Sequence, residues 1–239
     1  MGRVLVFVSA CGGQGRTSAA LAAAQSLSAG GSRVLLMDGC ADGALTSMVA
    51  DGSSMLYDFG DAARRFNSAP FLGGMSEDGA VCELDDACYP CEGFDFIPCP
   101  ADDSGVGAQS ICSLLEAARE RYDWCILDAP HRSFSDTAYF CTEADVTVIC
   151  TEAAEQKLTA AGKLRRLLAE EDERCRLVVT RYRSADVRGG RLCSLDHCID
   201  TVGARLLGVI PEGDRPVIKA AADNIAARLC GRRVRLMKL

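Results

Sequence analysis

Ten residues near the N-terminus carry the first chemistry in this chain: Ser9-Ala10-Cys11-Gly12-Gly13-Gln14-Gly15-Arg16-Thr17-Ser18. Glycines let a backbone wrap closely around phosphate oxygens with its N–H groups pointing inward. A helix that starts behind such a turn adds its free N–H groups and the positive end of its dipole. Thr17 offers the hydroxyl that ligates Mg²⁺ in such loops, and Arg16 stands where a lysine would meet the phosphates. On spacing alone, the same run fits a tight strand-to-helix turn with no ligand. Two aspartates shift that balance. Asp38 closes the apolar run "RVLLMD" and Asp128 closes "YDWCILD". Ligands of open α/β sheets bind outside the carboxyl ends of the strands, so Gly15, Thr17, Asp38 and Asp128 are expected to converge there. Thr17, Asp38 and Asp128 are the candidate Mg²⁺ ligands.

The elements that must position these residues are legible as short apolar runs alternating with helical stretches. Strands are predicted at Val4–Ser9, Arg33–Asp38, Phe94–Pro98, Trp124–Asp128, Val146–Thr151, Leu177–Thr180 and Leu206–Ile210. They are rich in Val, Ile and Leu with little polar alternation, the pattern of strands buried on both faces. Helices are predicted at Thr17–Ala29, Gln109–Arg121, Ala154–Glu171, Cys193–Val202 and Pro216–Leu229, with another around Met55–Phe66. The alternation implies an α/β fold, a mostly parallel central sheet flanked by helices on both faces. Residues 51–92 are the least regular stretch, and "NSAPFLGGMSEDGA" reads as loop. No linker, repeat or low-complexity tract divides the 239 residues, so a single domain over 1–239 is expected.

The net charge of −7 argues against specific nucleic-acid binding, which needs a concentrated positive surface. No apolar run approaches the ~18 residues of a membrane span, and Met1-Gly2-Arg3 leads directly into a β-like run, which suggests a cytoplasmic protein. Fourteen cysteines would suggest disulfides in a secreted chain. Here many sit inside apolar runs, such as Cys112, Cys125 and Cys150, and read as reduced core thiols.

Separated motifs, in order along nearly the whole chain, resemble the MinD/ParA group of deviant Walker A ATPases, and its MinD members most. The group's loop reads K-G-G-x-G-K-T-[ST]; here residues 11–18 read Cys-Gly-Gly-Gln-Gly-Arg-Thr-Ser. "DGCADGALTSMV" is similar to the first switch and "YDWCILDAP" to the Walker B strand and second switch. "LVVTRYR" and "LLGVIPEGDRPVIKA" resemble later stretches, and "NIAARLCGRRVRLMKL" parallels the last helix of the core. The resemblance implies a P-loop NTPase fold that binds ATP or ADP with Mg²⁺. Gly12, Gly13, Gln14, Gly15, Arg16, Thr17 and Ser18 would surround the phosphates, with Arg181, Pro211 and Glu212 joining the nucleotide site. It also implies a homodimer and a protein partner in the cell-division machinery, where the family determines septum sites. The tail, with Arg232, Arg233, Arg235 and Lys238 among apolar residues, would make at most a weak contact with the inner membrane surface.

The departures bear on catalysis. The signature lysine that reaches the partner subunit's phosphates falls at Cys11, a neutral side chain too short for that task. The loop lysine is Arg16, which keeps the charge on a bulkier planar fork. The water-orienting aspartate of the first switch falls at Cys40; Asp42, two residues on, could substitute only if the switch is rearranged. His131 and Arg132 follow the second-switch proline, and Arg183 stands where the family reads the base. Phosphoryl transfer is almost entirely positioning and charge stabilisation, so loss of a trans cation alone costs ~10³-fold or more. Asp42 and Asp128 remain the catalytic candidates, and binding is expected to outlast hydrolysis. Two readings stay open: a divergent ATPase switch, and a scaffold on a relic P-loop fold. Cys88-x-x-Cys91, with Cys82 and Cys99 nearby, leaves a metal- or cluster-binding relative as a third.

Overall fold

The computed structural model describes residues 1–50, 55–68, 84–101, 106–130, 133–168 and 173–235. His131, Arg132, Cys82, most of "NSAPFLGGMSEDGA" and the last four residues of the basic tail lie outside the described residues.

Eight strands form one sheet in the order β3-β4-β2-β5-β1-β6-β7-β8. In chain order they are β1 Arg3–Val8, β2 Val34–Asp38, β3 Tyr89–Pro90, β4 Asp95–Ile97, β5 Trp124–Asp128, β6 Val146–Glu152, β7 Cys175–Tyr182 and β8 Arg205–Pro211. Every pairing is parallel except β3 with β4 at one edge. The helices are α1 Arg16–Ala29, α2 Ala44–Val49, α3 Phe59–Ser68, α4 Ala108–Arg121, α5 Phe134–Cys141, α6 Glu155–Leu167, α7 Ser184–Arg188, α8 Leu195–Val202 and α9 Arg215–Leu229.

The apolar strands are buried on both faces because each face carries its own helix layer. In β1, Val4, Val6 and Val8 join the core that also holds Ile111, Leu114, Phe140 and Leu158 of α4, α5 and α6. Leu5 and Phe7 point the other way, into the core formed with Ala20, Ala24, Ile225 and Leu229 of α1 and α9. This two-unit alternation is the side-chain period of a strand. Small residues let the second layer sit close. A Cβ on Gly208 would meet Ile225 Cγ1 at 2.4 Å, so α9 lies directly on β8.

The architecture matches the expected α/β fold, and the main strands fall within a residue or two of their predicted ends. The shorter elements α2, α5, α7 and β3 were not expected. Helix α6 ends at Leu167 rather than Glu171, with the residues between only partly described. Among the described residues no helix is long and apolar enough to cross a membrane.

Candidate functional site

Strand β1 lies at the centre of the sheet, between β5 and β6, and the glycine-rich loop leaves its carboxyl end. Register sets the neighbours: Asp128 ends β5 beside Phe7 and is paired with Asp38, which ends β2. Thr151 and Glu152 of β6, and Thr180 of β7, form the opposite flank. The sequence therefore delivers the loop and both aspartates to one edge of the sheet.

The loop is shaped by two left-handed glycines. Gly13 has φ +70° and Gly15 φ +67°. At Gly15 a Cβ would also press on the Thr180 side chain at 3.2 Å, so both conformation and space require glycine there. A Cβ on Gly12 or Gly13 would meet nothing within 4 Å, so the outer side of the turn is open. Gln14 points inward, 3% exposed. Its Oε1 accepts from Glu152 N at 3.0 Å and Thr151 Oγ1 at 3.3 Å, and Thr180 Oγ1 donates to its carbonyl at 2.8 Å. Gln14 thus anchors the loop to β6 and β7. Gly15 caps α1 without any side-chain hydrogen bond, and no acidic residue occupies the first turn. Among the described residues no side chain caps the first N–H groups of the helix, the groups with which a helix start binds an anion.

Arg16 does not reach into that open space. It is buried, with Nε donating to Asp128 Oδ1 at 2.5 Å and Nη2 donating to Cys40 Sγ at 2.8 Å. The other carboxylate oxygen of Asp128 accepts from Thr17 Oγ1 at 2.7 Å. Burial pushes the Asp128 carboxyl up, and the Arg16 guanidinium and the Thr17 hydroxyl oppose that rise. Arg16 itself is held protonated by Asp128. A guanidinium thus sits beside the acidic group at the place where a P-loop site brings a divalent cation.

Cys40 completes this arrangement. Its sulfur accepts from Arg16 and lies 3.1 Å from the Ala129 carbonyl, to which the S–H donates. Burial pushes the thiol up to about 12, so Cys40 is neutral at physiological pH. The first-switch position therefore brings no carboxylate to the loop. Asp42 is exposed, and its Oδ1 accepts from Ala44 N at 3.2 Å at the start of α2. Asp38 is fully buried and faces a different partner: Oδ2 accepts from Thr46 N and Thr46 Oγ1, both at 2.8 Å, while Oδ1 accepts from Cys40 N at 3.0 Å. Thr46 Oγ1 in turn accepts from Cys99 N at 2.8 Å, tying α2 to the strand edge.

The remaining sequence candidates divide. Arg181 adopts the left-handed region, φ 51°, and its Nη1 donates to the Gly13 carbonyl at 3.0 Å and to Glu152 Oε1 at 2.8 Å. It lies against the loop. Glu212, just beyond β8, pairs with Arg183 Nη2 at 2.7 Å on the exposed rim, next to Pro211 at the strand end. Cys88, Cys91 and Cys99 are half-buried and form no disulfide, and among the described residues they join no group of three metal-ligating side chains. Glu152 and Thr46 were missed as site residues. The signal for Glu152 was a carboxylate at the end of a buried strand, "VTVICTE"; that for Thr46 was weaker, a hydroxyl in the turn after Asp38.

Mg²⁺ demands near-octahedral oxygen ligands. Thr17 and Asp128 supply suitable oxygens 2.7 Å apart, but the Arg16 guanidinium already neutralises Asp128. The donor set fits a metal only with Arg16 moved aside.

No protein-family model matches the chain. Septum site-determining protein MinD of Bacillus subtilis is 25% identical, in an alignment spanning all of this chain and 93% of that protein. MinD from the MinC:MinD cell division complex of Aquifex aeolicus superposes with a TM-score of 0.81, at 20% identity over 99% of both chains. The chain is similar in sequence to MinD and shares the fold of MinD/ParA ATPases. A further fold match is MinD of Pyrococcus horikoshii complexed with Mg-ADP, TM-score 0.69 at 17% identity over 96% of each chain. In this MinD-like fold the arginine of the phosphate loop is folded inward.

Proposed function

We propose that this single-domain, MinD-like protein binds ATP or ADP through its loop, hydrolyses ATP little or not at all, and regulates or positions a cell-division partner. The observation that carries the reading is the direction of Arg16. Its charge is held by Asp128 and Cys40, while the glycine turn and the N-terminus of α1 stay open to an anion. Backbone N–H groups suffice to hold phosphates. Transition-state stabilisation needs a cation and a water-orienting group placed where charge develops. The residues at 11 and 40 are cysteines, which bring neither a lysine-like cation nor a carboxylate.

The family supports the biological part. One relative of this fold is a MinC:MinD complex and another holds Mg-ADP. We place this chain in the cytoplasm, at most peripheral to the inner membrane face, as a homodimer whose nucleotide dependence is weakened by Cys11. Steady-state phosphate release tests the catalytic part. Turnover at the assay floor, raised at least about 10-fold when Arg16→Lys and Cys40→Asp are introduced together, is the expected result. Robust turnover by the unaltered protein that is lost in Asp128→Asn would instead make it an ATPase.

A further inference from the structure

A second cluster of reactive side chains lies away from the loop. Glu155 is the first residue of α6, Cys193 precedes α8, and His197 lies in the first turn of α8. Their donor atoms converge. Glu155 Oε2 is 2.8 Å from His197 Nε2 and 3.4 Å from Cys193 Sγ, and all three ligand atoms lie within 4.8 Å of one another. We propose that these three residues form a binding site for a Zn²⁺-class metal ion, with a fourth position open to solvent.

The donor chemistry favours such an ion. A thiolate, an imidazole and a carboxylate are the ligand types of zinc, at about 2.3 Å for sulfur and 2.0–2.2 Å for nitrogen and oxygen. Around a tetrahedral ion those bonds put neighbouring donors roughly 3.4–3.6 Å apart. The sulfur–oxygen separation already matches. The imidazole–carboxylate pair must open by about half an ångström from its hydrogen-bonded distance. A hard ion such as Mg²⁺ would not select a thiol.

The three side chains stand on a rigid base. Cys193 N donates to the Ala153 carbonyl at 2.8 Å, fixing the segment before α8 to the end of β6. Ser194 caps α8, accepting from His197 N at 3.2 Å. Helices α6 and α8 pack closely, since a Cβ on Gly162 would meet the Thr201 carbonyl at 2.6 Å. Only small rotamer changes therefore separate the observed cluster from a coordinating one. The exposed faces of Glu155 and His197 leave an entry path. Binding releases the Cys193 thiol proton to solvent and replaces the His197–Glu155 hydrogen bond with two coordinate bonds.

The position gives the ion a consequence. Glu155 lies three residues beyond Glu152, which holds both Gln14 and Arg181 beside the phosphate loop. An ion across α6 and α8 would clamp the segment after β7, which carries Arg183, to the end of β6.

The test is anaerobic Co²⁺ titration of the reduced, chelator-treated protein, followed by displacement with Zn²⁺. One equivalent should bind, giving a near-ultraviolet thiolate-to-cobalt band with visible bands of tetrahedral strength, and Zn²⁺ should remove both. Cys193→Ser and His197→Ala should each weaken binding by more than about 10–100-fold, beyond the loss of a supporting group alone. The double variant Cys88→Ser/Cys91→Ser should bind like the unaltered protein. Circular dichroism confirms folding of each variant, and a Zn²⁺-dependent rise in Tm should be absent from Cys193→Ser. No band at tens of micromolar Co²⁺, or a band that survives loss of Cys193 or His197, would overturn the site.

Discussion

Replacing Arg16 by Met removes a buried cation while roughly keeping its volume. Arg16 and Asp128 side chains are 7% and 1% exposed, so water cannot take over from the lost partner. Breaking one side of a buried ion pair costs about 3–5 kcal/mol, against about 5–15 kcal/mol of total stability. Asp128→Asn should cost a similar amount, since it leaves the guanidinium buried. The double variant Arg16→Met/Asp128→Asn leaves neither charge, so its loss should fall short of the sum by at least about 2 kcal/mol. The penalty should also depend on pH. Without Arg16 the folded pKa of Asp128 rises further above its unfolded value near 3.9. A raised folded pKa means stability that is present in acid and lost as pH rises, so the Arg16→Met penalty should shrink between pH 7 and pH 5. Urea unfolding followed by circular dichroism reads all of this. Additive single losses, or an Arg16→Met change below about 0.5 kcal/mol, would refute an inward, ion-paired Arg16.

Three further tests address the surroundings of the pair. Thr46→Val leaves Cys99 N without its acceptor and removes a donor from Asp38, so it should cost about 1–3 kcal/mol at pH 7 in urea unfolding. Burial already raises the Asp38 pKa, and losing the hydroxyl raises it further, so this penalty should also shrink as pH falls toward 5. Gly15→Ala forces a side chain into a left-handed conformation against Thr180, and should lose ~1–2 kcal/mol of stability together with any nucleotide binding seen by calorimetry. Brief alkylation at neutral pH followed by peptide mass mapping should label exposed Cys11 and Cys230 first. Cys40, Cys112, Cys125 and Cys198, all buried and pushed up to about 12, should resist until the protein unfolds.

What the sequence disclosed, and what it did not, follows from the range of the forces involved. Strands such as "VLLMD" and "WCILD" are buried on both faces, so they appear as unbroken apolar runs, and their terminal aspartates came with them. Helix α5 was missed although Ser133 caps it through Asp136 N, a local signal hidden by its eight-residue length. The direction of Arg16 was not legible, because it depends on partners 24 and 112 positions away that meet only once β2 and β5 pair. The same holds for Gln14, a polar residue in a glycine loop whose amide is buried against β6. The family resemblance carried the nucleotide-site residues, and it pointed to positions 11, 16 and 40 as the departures. Only the fold shows that two of these, Arg16 and Cys40, are in contact.

The most direct measurement is a calorimetric titration of the purified protein with ATP and with ADP, each with and without Mg²⁺. An intact phosphate cradle beside an internal guanidinium should give saturable binding of both nucleotides, with phosphate release at the assay floor in the same samples. No heat of binding for either nucleotide at millimolar concentration would contradict nucleotide binding at this loop and leave the fold as a platform for protein contacts alone.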